Sequence, residues 1–253
     1  MTNKNQTIHP TALVSKQAVL GTNISIGAFS IVHDGVILGN GSQIGSHCEI
    51  GVSSDLSKEN SLVIGQNSNV RSHSVLYSGS SFGDGLTTGH RVTIRENTNA
   101  GINLQVGTLG DIQGDCTIGD YVRFHSNVHV GKYSKIGNFV WIFPYVVLTN
   151  DPHPPSDVCL GVTIGDFSVI ATMSTILPGI NISDGALIGA HSLVNRDVSS
   201  DTIVAGVPAK VIGPTNKIKL TNLPGEDAYP WRKHFHRGYP EEIIKEWNTD
   251  SYG

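Results

Sequence analysis

The residues of this 253-residue chain best suited to chemistry lie between positions 111 and 153. His125, Asn127 and His129 alternate along one short stretch, and Asp111 precedes His129 by 18 residues. Asn150, Asp151 and His153 follow in a proline-rich run, NDPHPP. An imidazole oriented by a second group works as a general base near neutral pH. His129 with Asp111 is one such pair, and His125 is an alternative base. A metal centre is the competing use, and it needs several ligands converging at about 2.0–2.1 Å. Two histidines four apart on one strand are roughly 13 Å apart along the chain, so they share an ion only if a neighbouring subunit contributes. Arg91, Arg95 and Arg123 offer guanidinium groups for a phosphate. Asn127 and Tyr145 complete the polar set beside them.

A six-residue repeat positions these side chains. From Ile8, steps of six reach Val14, Leu20, Ile26, Val32, Leu38, Ile44 and Ile50; the register resumes from Ile64 to Leu148 and again from Ile164 to Val194. Glycine follows the apolar residue about half the time, and the residue four places on is small or apolar, as at Ala12, Ser30, Val92, Val128 and Ala186. A period of six drifts around a helix, whereas strands of period two broken by a corner every six residues accommodate it. Glycine gives such a corner either its unusual dihedrals or room for a tight approach. This is the hexapeptide β-helix pattern. Three repeats close a triangular coil of 18 residues, and coils stack at about 4.8 Å, so an all-β, parallel β-helix of about ten coils is expected. Side chains 18 residues apart then lie one above the other: Asp111 under His129, Val147 above it, Tyr145 above Asn127, and Phe143 above His125.

The repeat breaks twice, at loops near 52–61 and 149–162, and loops projecting from a rigid solenoid are favoured places for function. Cys48 and Cys116 fall on inward positions and read as inert packing thiols. Cys159 lies in the second loop. Trp141, Phe143, Tyr145 and Val147 point outward and read as a surface seeking a partner. Past residue 213 the repeat ends, and YPEE at 239–242 reads as a helix start with acids in its first turn. The expected organisation is a β-helix over 1–213 and, over 214–253, a short C-terminal helical cap covering the last coil. The aromatic and basic run YPWRKHFHR, ending at Arg237, is a further candidate contact for adenine or a phosphate.

The segment AGVPAK, residues 205–210, resembles the end of the β-helix in the CoA-dependent, left-handed β-helix hexapeptide acyltransferases, and the repeat extends that resemblance over roughly residues 8–212. Left-handedness is implied by this resemblance, since crossovers between parallel strands are generally right-handed. The resemblance also implies acetyl-CoA as cosubstrate, held by Ala205, Gly206, Pro208 and Lys210, and a homotrimer with active sites between subunits. Within the family, the stretch WIFPYVVLTNDPHPPS is most similar to enzymes that N-acetylate nucleotide-linked amino sugars, such as dTDP-3-amino-3,6-dideoxyhexoses. It implies that Asn150 and Asp151 lie beside the sugar amine and the acyl donor, with no metal required. The expected activity is N-acetylation of a dTDP- or UDP-linked amino-deoxy sugar for surface-glycan biosynthesis. O-acetylation with a histidine base is the alternative; a γ-type metal-dependent hydratase and a non-catalytic scaffold are the remaining classes.

Composition narrows the field further. Charged residues are 15% of the chain, against an ordinary value of ~25%. The net charge is −4 with no Lys/Arg run, which argues against a nucleic-acid partner. The longest apolar stretch, Phe139 to Leu148, contains Pro144 and is too short to span a bilayer. The N-terminus, MTNKNQTIHP, lacks an apolar signal core, so a cytoplasmic protein is expected.

Overall fold

The computed structural model describes residues 5–59, 61–236 and 238–248. Among them, short strands sort into three sheets of twelve, ten and nine strands. Neighbours within a sheet are three strands apart in the chain, so each coil contributes one strand to each of three prism faces. The first face carries Arg123–Phe124 and Trp141–Ile142, the second Asp111–Ile112, His129–Val130 and Val147–Leu148, and the third Lys135–Ile136. Pairing is parallel along the prism until a hairpin, Thr202–Ala205 with Lys210–Pro214, closes the first face antiparallel. The fold is the parallel β-helix that the register predicts. No helix among the described residues is long and apolar enough to cross a membrane.

The core is the register itself. Ile26, Ile50, Ile94, Val130 and Ile176 are at most 2% exposed. The small partners four residues on include buried serines whose hydroxyls satisfy corner carbonyls: Ser30 donates to Gly45, Ser74 to Arg71 and Ser134 to Gly131, at 2.6–2.8 Å. A buried hydroxyl without such an acceptor would be costly. Cys48 and Cys116 are buried as expected, and burial pushes the Cys116 thiol up to about 11. The glycines after the apolar residues serve close approach rather than dihedral freedom: a Cβ on Gly27 would stand 2.6 Å from the Ser46 amide nitrogen. The left-handed corner residue comes two places later and is often large, as at Phe29, His47, Asn127 and Tyr145, with φ between +57° and +62°.

The tail departs from expectation. A helix does form at Glu241–Asn248, but it does not cap the last coil. The tail runs back along the prism, where Trp231, Tyr239 and Trp247 bury themselves against Tyr121, Phe139 and Phe167. The Trp231 indole N–H donates to the Phe167 carbonyl at 2.9 Å, and the Trp141 indole N–H donates to the Tyr239 hydroxyl at 2.7 Å. Trp141 therefore finds its partner within the chain. The physical reason is the corner column Tyr121–Phe139–Phe167, three stacked outward rings with centroids 5.3 and 4.9 Å apart, which gives the tail's aromatic side chains an apolar strip to pack on.

Candidate active site

His129 and Asp111 begin strands on adjacent coils of the second face and are paired in register. Both side chains point outward, 38% and 36% exposed, so a ligand can reach them. His129 Nδ1 lies 3.0 Å from Asp111 Oδ2, and Gln113 Nε2 donates to the same carboxylate oxygen at 2.6 Å. The His129 hydrogen bond, against partial burial and with help from Gln113 and the charge of Arg95, holds the Asp111 carboxyl below the usual carboxylate range. An ionised carboxylate only accepts, so the proton on the imidazole sits at Nδ1. That leaves the Nε2 lone pair facing outward, poised to take a proton from an incoming group.

Arg95, one coil below Gln113, pairs with Glu96 while its charge still acts on Asp111. It donates through Nε at 3.0 Å and a terminal nitrogen at 3.1 Å. Glu96 is 3% exposed and also accepts from the Ser54 hydroxyl. These two bonds, against the cost of burial, keep Glu96 below the ordinary carboxylate range. In the same way Lys58 reaches Asp115 at 2.6 Å and its amide donates to Asn97 at 2.9 Å. The loop before Leu62 is thus pinned to the prism beside the His129 face.

The second loop leaves the prism at the same corner, between the second and third faces, on a later coil. A Cβ on Gly131 would come 3.1 Å from the Asn150 Cβ, so Asn150 stands one coil above the residue two places beyond His129. Its side-chain amide lies 3.9 Å from the Cys159 sulfur, a weak acceptor. Asp151 is occupied within its own loop: it accepts from the amides of His153 and Ser156 at 2.9 and 3.0 Å, and from the Ser156 hydroxyl at 2.7 Å. These contacts, the Ser156 hydroxyl foremost, lower its carboxyl pKa. Asp151 shapes the loop that presents Asn150.

His125, Asn127 and His129 do not form one straight outward row. Asn127 takes the left-handed corner conformation with φ +59°, so the chain turns between the two histidines. His125 belongs to the end of the first face, stacked on Phe143 with centroids 4.7 Å apart and 15° between planes. Burial, and then the charge of Arg123, hold it below the usual imidazole range. It has no carboxylate partner among the described residues, unlike His129. Arg91, Asn127 and Tyr145 lie along the corner column between the first and second faces, whereas Arg123 sits on the first face between the rings of Trp141 and Tyr239, 4.8 and 4.9 Å away. The three arginines therefore do not cluster. Gln113 was missed from the sequence, although the period-two rule places it on the face of Asp111. Among the described residues no group of three His, Cys, Asp or Glu is placed to hold a metal ion.

The AGVPAK segment forms the turn of the closing hairpin. Pro208 and Lys210 line an open cleft of about 330 Å³ together with Arg196. The Gly206 amide is already engaged by the Ser192 hydroxyl at 3.2 Å, and its carbonyl accepts from Leu193. It is therefore not a free donor for an amide-bearing ligand. Leu193 lies three coils above His129 through Val147 and Thr175, about 14 Å along the prism.

No family model matches the chain. It is 28% identical over 142 residues to WbbJ of Escherichia coli K12, assigned as a lipopolysaccharide biosynthesis O-acetyl transferase, covering 49% of this chain and 72% of that protein. It is 31% identical over 118 residues to the Escherichia coli galactoside O-acetyltransferase, covering 38% of this chain and 58% of that one. Among solved structures, the UDP-N-acetylglucosamine acyltransferase of Campylobacter jejuni superposes with a TM-score of 0.51 and 21% identity, over 95% of this chain and 81% of that one. That likeness establishes the fold as a left-handed parallel β-helix. With the repeat, the chain is thus similar in sequence to acetyltransferases such as these and shares the left-handed β-helix fold.

Proposed function

We propose that this protein transfers the acetyl group of acetyl-CoA to the amino group of a nucleotide-linked amino-deoxy sugar, of the dTDP or UDP series. The observation that carries this is the His129–Asp111 pair, with Nε2 outward and Asn150 beside it, about three coils from the AGVPAK hairpin. That separation suits an extended pantetheine arm whose thioester lies at the dyad and whose phosphates meet Lys210 and Arg196. A sugar amine arrives largely as an ammonium ion. One proton leaves to solvent as the amine binds, the freed lone pair attacks the thioester carbonyl carbon, and His129 Nε2 takes the second proton from the nitrogen of the tetrahedral adduct. Asn150 Nδ2 donates to the developing oxyanion. Collapse expels CoA as thiolate, which takes the proton back from His129, leaving the N-acetyl sugar and CoA thiol. Asp111 stays ionised throughout and stabilises the imidazolium.

A second reading, O-acetylation of a sugar hydroxyl, is favoured by the same dyad, because a hydroxyl needs a base more than an amine does. The two Escherichia coli relatives are O-acetyltransferases by name. Thiol release from acetyl-CoA, measured across dTDP- and UDP-linked amino sugars and simple alcohols, separates the two. Turnover with a nucleotide-linked amine is expected. Silence with every amine and turnover with an alcohol replaces the first reading by the second. The working unit in either case is a homotrimer with sites between subunits, and light scattering should give three times the 27.0 kDa chain mass.

A further inference from the structure

The backward-running tail creates a cavity that the dyad does not use. It holds about 270 Å³ between the first face and the tail, and its walls are Trp141, Phe143, Tyr229, Trp231 and Phe235. The two indole N–H groups are already spent on Tyr239 and on the Phe167 carbonyl. The walls therefore present ring faces and edges, suited to stacking a flat group rather than to reading it by hydrogen bonds. Trp141 and Phe235 also line a trench of about 560 Å³ that runs down the first face. Its floor is Gly89 and Gly107, stacked in one column between Arg71 and His125, where added side chains would strike the backbone of the next coil.

The trench is cationic. Among the described residues Arg71 and Arg123 line it and no Asp or Glu does, in a chain whose net charge is −4. Arg71 has no acidic partner among the described residues and is exposed. Arg123 is held by two aromatic faces. A flat apolar slot opening onto two guanidinium groups matches one ligand chemistry: an aromatic base joined to phosphates.

We propose that this cavity and trench form a nucleotide site, with the base stacked against Trp141 and Phe235 and the phosphates over the glycine floor between Arg71 and Arg123. The assignment rests on the nucleotide-linked acceptor proposed above. The same chemistry has a second source in the nucleotide half of CoA. The tail is then a functional element, because without it the base has one wall.

The test is direct binding to the full chain, by tryptophan fluorescence and calorimetry, with dTDP, UDP and CoA as separate probes. Arg71→Gln and Phe235→Ala are the variants; both residues are exposed, and an unchanged melting temperature confirms that they fold. Saturable binding weakened at least tenfold by each variant supports the site. The probe that responds identifies the source as the acceptor nucleotide or CoA. No binding by any probe, or binding that both variants leave unchanged, overturns it. Turnover of a nucleotide-linked amine with KM unchanged in both variants overturns the site and leaves the functional reading standing. Variant-sensitive binding without turnover of any amine keeps the site and removes that reading.

Discussion

Among the described residues the second face of the prism carries two histidine–carboxylate pairs, and one of them is built like a catalytic group. His33 meets Glu49 at 3.1 Å on an early coil, and His129 meets Asp111 at 3.0 Å further along. Their exposures are close, 39% and 44% against 38% and 36%. The differences lie in which atoms meet and what stands around them. His33 uses Nε2 and turns its outer nitrogen into the pair, whereas His129 uses Nδ1 and leaves Nε2 outward. Asp111 has a second anchor in Gln113, two residues on. The position two beyond Glu49 is Gly51, with φ +88° and the Val36 side chain where a Cβ would go, so no side chain can brace Glu49 from there. Distance alone therefore does not mark a site; the free tip nitrogen, the braced carboxylate and the Asn150 loop do.

The largest effect should come from the histidines themselves. His129→Ala is expected to lower kcat by about 10²–10⁴-fold, the usual range for a general base, while His33→Ala stays within about twofold in the same thiol-release assay. Near-normal turnover in His129→Ala would mean the amine supplies its own lone pair, and the dyad would then be a binding feature. Equal losses in both variants would erase the distinction between the pairs. Next is Asp111→Asn, whose amide N–H can donate to His129 Nδ1 and so place the ring proton on Nε2, the wrong tautomer. A loss of about 10²-fold in kcat with little change in KM is expected. Glu49→Gln, the matched control, should leave both constants unchanged.

Much of this was readable before the structure. The 18-residue step put Asp111 under His129 and Cys48 and Cys116 in the core, because parallel stacking repeats the register coil after coil. Two features escaped for physical reasons. Period two predicts one face for His125 and His129, but it does not hold across the corner at Asn127, where a left-handed residue turns the chain. The tail's path was hidden because Trp231, Tyr239 and Trp247 follow no repeat. Its docking strip was nonetheless present in the sequence. In the early coils the corner column holds Asn23, Gly41, Asn67, Gly85 and Asn103, and from residue 121 it becomes Tyr121, Phe139 and Phe167. A column that changes from small and polar to aromatic marks the coils that are covered.

Acid sharpens the comparison through stability. Asp111 is held below the usual carboxylate range by His129, Gln113 and Arg95. A depressed folded value means its contribution is fully present above the unfolded pKa of about 3.9 and is lost as pH falls through the lower folded value. Melting temperatures of the native protein and Asp111→Asn should differ from neutral pH down to about 4 and converge on further acidification. A constant gap at every pH would show that the substitution acts through packing instead of charge.

The smallest effect tests the brace. Gln113→Ala removes the 2.6 Å bond to Asp111 and leaves the His129 contact in place, so the dyad should survive but hold its angle less well. A kcat loss of about threefold to tenfold is expected, with the greater part restored in Gln113→Asn only if the shorter amide still reaches Oδ2. Because Gln113 acts through Asp111, its substitution should add almost nothing in the Asp111→Asn background, where coupled residues depart from additivity. Full additivity in that double variant would mean that Gln113 meets the substrate directly. The difference between the two histidine pairs would then rest on the free Nε2 and the Asn150 loop alone.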